Sequence, residues 1–143
     1  MDDWKNRITP EKIQYINENE VFVFGSNTVG HHLGGAAKTA TDKFGAVWGV
    51  NSGITGRCYA VPTVDLDPKT RYVEKMPLIY IRHKIVDLIN YAKRHKYKTF
   101  FITEIGCGIA GFTIDEIAPL FKEAIKVNNI HLPLRFWNKL DHI

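Results

Sequence analysis

The chain has 143 residues, enough for one ordinary domain that buries a core of its own. Its 45% hydrophobic and 24% charged content is that of a globular protein, with no apolar run of membrane-spanning length and no signal-peptide pattern, so the cytoplasm of a cell or of a phage-infected cell is expected. Two cysteines, Cys58 and Cys107, form neither a disulfide framework nor a zinc spacing, and a formal charge of +4 favours anionic ligands in general over nucleic acid in particular.

Met1 to Ile8 is polar and reads as loosely held. Thr9-Pro10-Glu11 has the marks of a helix start, with Thr as N-cap, Pro at the first helical position and an acid in the first turn, and predicts a short helix to about Asn17. After a turn at Asn17–Glu20, Val21–Phe24 is a continuous apolar run, too short for a helix and suited to a central strand. Gly25 to Gly35 is rich in glycine and leads into a helix over Ala36–Phe44 that stops at Gly45. Ala46–Gly56 reads as irregular, with a turn at Asn51-Ser52-Gly53. Tyr59–Val64 reads as a strand that Pro62 pushes toward an edge or a strand end. Asp65–Lys75 is a polar loop turning at Asp67-Pro68.

The longest helical pattern runs from Pro77 to His95, with Ile81, Ile85, Leu88, Ile89 and Ala92 on one face and Arg82, Lys84, Lys93 and Arg94 on the other. Thr99–Ile102 is a short β-branched and aromatic run, a buried strand. Ile114–Lys126 carries apolar residues at helical spacing, and Leu132–Phe136 reads as the final strand. Strands alternating with helices imply βαβ units and an α/β fold, a three-layer α/β/α domain around a mixed, largely parallel sheet.

Two stretches carry the chemistry. Thr103-Glu104-Ile105-Gly106-Cys107-Gly108-Ile109-Ala110-Gly111-Phe112 links a strand to a helix. Glycines permit close approach to the backbone, and free N–H groups at a helix start suit a phosphate. The GxGxxG spacing also fits the dinucleotide fingerprint, but that belongs to the first βα unit of a chain and here falls late. A tight strand-to-helix turn without a ligand fits the same residues. The second stretch, Gly25–Gly35, is built the same way. In a parallel sheet both loops open at the carboxyl ends of their strands and can face each other across a single cleft.

With both loops in view, the chain resembles the macro domain family over about Val21 to Phe136. Val21-Phe22-Val23-Phe24-Gly25-Ser26-Asn27 followed by Gly34-Gly35-Ala36-Ala37 is similar to the family's strand–Asn–loop–Gly-Gly–helix unit. Ser52-Gly53 through Tyr59-Ala60-Val61-Pro62 is similar to its middle strand, and Ile105–Phe112 to its phosphate loop. The Phe-Gly-Ser-Asn and Thr-Glu-Ile-Gly-Cys-Gly strings resemble a small phage and bacterial branch. The resemblance implies a macro-like fold and a pocket for ADP-ribose or a related NAD-derived nucleotide. It implies that Gly25, Ser26 and Asn27 belong to the site, with Asn27 on the distal ribose. Gly34, Gly35 and Ala36 would lie along that ribose and phosphate. The backbone of Gly106, Cys107, Gly108, Ile109, Ala110 and Gly111 would cradle the diphosphate, with Phe112 near the ribose or base. The family's Gly-Asp-Ile-Thr-like stretch, whose Asp reads adenine, is replaced here by Ile8-Thr9-Pro10-Glu11. The position of the acid in the ADP-ribosyl hydrolase branch is Ala37.

Glu104, at a strand end beside the loop, can act as acid or base, bond a ribose hydroxyl, or hold the loop by accepting N–H groups. Cys107 lies near a helix start, where a thiol becomes more acidic, but no base accompanies it. Of the neighbours His31 and His32, at most one can face a ligand. No metal-binding cluster and no cofactor are expected. Binding of an ADP-ribose-like nucleotide is the leading function. A phosphatase or ADP-ribosyl hydrolase on the same pocket, with Glu104, Asn27 and a loop histidine as candidate groups, is the alternative. A nucleic-acid or protein module using the basic helix is the third.

Overall fold

A computed structural model describes residues 3–32 and 34–142; Met1 and Asp2 of the N-terminal segment and Leu33 of the first glycine-rich loop lie outside them. Six strands form one mixed sheet: β1 (Glu20–Asn27), β2 (Gly53–Thr55), β3 (Cys58–Leu66), β4 (Val73–Lys75), β5 (Thr99–Ile102) and β6 (Ile130–His131). The order is β2-β3-β1-β5-β6, with β4 also on β3. Four neighbouring strands, β3, β1, β5 and β6, run parallel, while β2 and β4 pair with β3 antiparallel.

The alternation within β1 explains the layers. Val21 and Val23 point into one core with α2 (Leu78–Arg94), α4 (Leu134–Leu140) and the 3-10 segment Ala118–Lys126. Phe22 and Phe24 point to the other face, onto Ala37, Ala40 and Phe44 of α1 (Gly35–Lys43) and its end. The predicted stripe of α2 is buried throughout, and α1 ends where Gly45 takes a φ of +83°. The three-layer α/β/α arrangement and the central place of β1 are as expected. Among the described residues no helix is long and apolar enough to cross a membrane.

Several local expectations are corrected. Residues 9–17 form no helix. Thr9 donates its N–H to Leu132 O at 2.9 Å and its hydroxyl to His131 O at 3.0 Å, so the expected cap residue extends the sheet beyond β6 instead. Asp3–Ile8 is tied down. Trp4 is buried and stacks on Trp137 at 5.5 Å, and the Arg7 guanidinium donates to the carbonyls of Ala124, Ile125, Val127 and Ile130.

The stretch expected to be irregular contains β2, and the polar loop 65–75 is a hairpin arm closing on β4. β3 lies inside the sheet despite Pro62, which falls between the β2-paired and β4-paired parts of its outer side. The helix expected over 114–126 is one α-turn, α3 (Ile114–Ile117), continued as 3-10 helix. Pro119 has no N–H to bond back into α3. The final expected strand is β6, two residues earlier, followed by α4. Pro133 ends the pairing and precedes the helix, and Phe136, Trp137 and Leu140 bury one helical face.

Candidate functional site

β1 and β5 end side by side, and their loops meet. A Cβ placed on Gly25 would lie 3.4 Å from Gly106 N, so the two backbones come close at the cleft floor. The cleft above has a volume of about 540 Å³. Gly25, Ser26, Asn27, Gly34, Gly35, Ala36, Glu104, Gly106, Cys107, Gly108, Ile109 and Ala110 all line it, as the two-loop reading requires. Gly111 and Phe112 do not. The Phe112 ring is buried beneath Lys75, whose ammonium lies 4.8 Å from its centroid, and it packs under Gly106 as support for the loop.

The backbone of the 106–110 loop is available to an anion. Among the described residues, the N–H groups of Gly106, Gly108, Ile109 and Ala110 have no acceptor, while Cys107 and Phe112 donate to Glu104 O and Gly106 O and so hold the turn. Gly106 adopts φ +76°, where glycine is favoured. The expectation that α3 lends its positive end to this loop is corrected: Thr113 and Glu116 form a capping box that closes that terminus with its own carboxylate. The open helix start is that of α1. Its first intrahelical bond among the described residues is Lys38 N–H to Gly34 O, and among those residues the N–H groups of Gly35, Ala36 and Ala37 on the cleft wall have no acceptor, with no acid in the first turn.

Polar side chains complete the cleft. Asn27 donates Nδ2–H to His31 O at 2.7 Å and accepts His31 N–H at 3.0 Å. Ser26 donates its hydroxyl to Asn51 O, and Asn51 donates to Thr28 O at 2.7 Å, so the first loop is tied to the segment before β2. His31 lines the cleft and His32 does not. His32 is buried against Phe24, its Nε2 lies 3.1 Å from Val47 O, and burial lowers its basicity. Thr63 and Arg71 also line the cleft. Arg71, at the β3–β4 hairpin, has φ +65°, the left-handed region that bulky residues rarely adopt. Neither residue carries a sequence signal of its own. The Asp67-Pro68 turn was the one local signal that the chain folds back to the end of β3.

Glu104 is half-buried, and Arg135 of α4 grips both its oxygens, with Nε 2.7 Å from Oε2 and a second guanidinium nitrogen on Oε1. The ion pair holds Arg135 protonated to above its ordinary range. Sequence spacing gave no sign of this partner, 31 residues away. Burial, reinforced by the Glu104 charge, pushes the Cys107 thiol up to about 11, the opposite of an activated nucleophile.

Glu104, Thr103 and Ala36 also border a second cleft of about 920 Å³. Its other walls are residues 8–14, the flank of α1 and Pro133–Arg135. Among the described residues no group of three His, Cys, Asp or Glu side chains is placed to hold a metal ion.

No family model and no curated protein matches the chain. Its fold is similar to that of a solved protein of unknown function from Bacteroides thetaiotaomicron, with a TM-score of 0.58 and 13% identity over 84% of this chain and 88% of that one. At that identity the likeness is one of fold alone.

Proposed function

We propose that this protein is a macro-like binder of ADP-ribose or a related NAD-derived nucleotide diphosphate. The carrying observation is the pair of backbone donor sets on one cleft that have no acceptor among the described residues: the N–H groups of Gly106, Gly108, Ile109 and Ala110 on one loop, and of Gly35–Ala37 at the start of α1. Such groups stabilise phosphate oxygens without needing a counter-charge of fixed position. Arg71 adds a cation on the same cleft. The order of motifs along the chain supports the macro-like reading. The adjoining 920 Å³ cleft, reached past Glu104, has room for the nucleoside half of the ligand.

Binding is favoured over hydrolysis because both oxygens of Glu104 are engaged by Arg135, and because Cys107 is held as a thiol. Titration calorimetry with ADP-ribose, its phosphorylated and cyclic forms, NAD and plain nucleotides tests the reading. The expected result is saturable binding of ADP-ribose or a close relative, tighter than that of AMP. Equal, weak binding of every anion in the panel would contradict it.

A further inference from the structure

Asn27 is the residue that the family pattern assigns to the distal ribose, yet here both ends of its amide bond the backbone of His31. The same hydrogen bonds fix where His31 begins, and its ring is fixed as well. It stacks on Trp48 with centroids 4.4 Å apart and planes 22° from parallel. Trp48 belongs to a segment joined to the His31 loop through Gly49 N–H to Gly30 O at 2.8 Å. Gly30 is held there too: a Cβ on it would lie 2.5 Å from the Gly49 carbonyl carbon.

The imidazole is therefore set rigidly beside the cleft. Among the described residues its Nδ1 is buried with no partner, and its Nε2 makes no bond. Nε2 is the nitrogen a ligand can reach.

We infer that His31 Nε2 makes the polar contact to the ligand's distal ribose hydroxyl or terminal phosphate oxygen, and that Asn27 is a positioning residue acting through it. This rests on the nucleotide-binding reading above. In ground-state recognition a positioned imidazole contributes about one hydrogen bond, which sets the scale of the expected loss at about fivefold or more. Residues that act as a unit are non-additive, and that separates a direct role for Asn27 from an indirect one.

The test measures ADP-ribose affinity for the wild type, His31→Phe, His31→Gln, Asn27→Ala and the Asn27→Ala/His31→Phe double variant. Phe keeps the stack on Trp48 without a nitrogen, and Gln returns an N–H near the Nε2 position. His31→Phe should lose fivefold or more, and His31→Gln should recover most of that. Asn27→Ala should lose a similar factor, and the double variant should be no weaker than the weaker single variant. The indole emission of Trp48, assigned with Trp48→Phe, should respond to ligand in the wild type.

Comparing ADP-ribose with its terminally phosphorylated form tells a hydroxyl from a phosphate contact: a larger His31→Phe effect on the phosphorylated ligand marks phosphate. Wild-type affinity in a folded His31→Phe, or multiplicative losses in the double variant, would overturn the assignment while leaving nucleotide binding intact. Failure of the wild type to bind any member of the nucleotide panel would instead refute the binding reading on which it rests, and the assignment with it.

Discussion

Gly108 offers a clean perturbation of the proposed anion-binding loop. A Cβ built there meets nothing within 4 Å, and its backbone lies outside the left-handed region, so a side chain fits without strain. Gly106 is the contrast. It sits at φ +76°, and its Cβ would lie 3.2 Å from the Phe112 ring, so Gly106→Ala should cost about 1–2 kcal/mol of stability. Gly108→Ala should leave folding and binding near wild type.

Gly108→Glu adds a carboxylate beside the N–H groups of Gly108, Ile109 and Ala110. At a separation of about 5 Å and an effective dielectric of about 20, two unit charges repel by about 3 kcal/mol. Salt screening and the freedom of an exposed glutamate reduce this to about 1.5 kcal/mol, or about tenfold in affinity. Circular dichroism and thermal unfolding establish that the variant is folded, and calorimetry with ADP-ribose reads the loss. Native unfolding with unchanged affinity would remove this loop from the site.

The other expectations concern Glu104, pH and Cys107. The Glu104–Arg135 pair is largely exposed on the arginine side, so Glu104→Gln should change stability by less than about 1 kcal/mol and ADP-ribose affinity by less than about threefold; sustained turnover of an ADP-ribose derivative that this substitution abolishes would establish catalysis instead. Burial lowers the basicity of His32 and His131, so the unfolded chain binds protons more readily than the folded one. Stability from these two groups is complete above about pH 7 and is lost as pH falls through the ordinary histidine value of about 6.5 toward the depressed folded values. Urea midpoints should therefore be lower at pH 5.5 than at pH 7.5, and a midpoint that is flat or higher at pH 5.5 would contradict this. With its thiol pushed up to about 11, Cys107 should alkylate far more slowly at pH 7.5 than a free cysteine, as followed by mass spectrometry, and rapid labelling would refute that.

The elements legible in the sequence were those whose own residues determine them. Val21–Phe24, Thr99–Ile102 and the i, i+4 stripe of α2 needed no partner to be recognised. β2, β4 and β6 have three, three and two residues, too few for a periodic pattern, and exist through their pairing with β3 and β5. Thr9 shows how tertiary pairing overrides a local signal: a residue suited to capping a helix is better satisfied by two carbonyl acceptors at the sheet edge. Both cleft loops were visible because each sets several glycines between a strand and a helix, which leaves its backbone open to close approach. Arg71 and Arg135 were not, since each reaches the region from a hairpin or helix whose placement depends on the whole fold.

The proposed function stands on cleft N–H groups, without an acceptor among the described residues, taking up a nucleotide's phosphates. Amide chemical shifts during a titration with ADP-ribose test it most directly. The largest changes should fall on Gly106, Gly108, Ile109, Ala110 and Gly35–Ala37, with downfield proton shifts as those groups gain an acceptor. Saturable binding that leaves these amides unmoved, with changes confined to the basic outer face of α2, would contradict it.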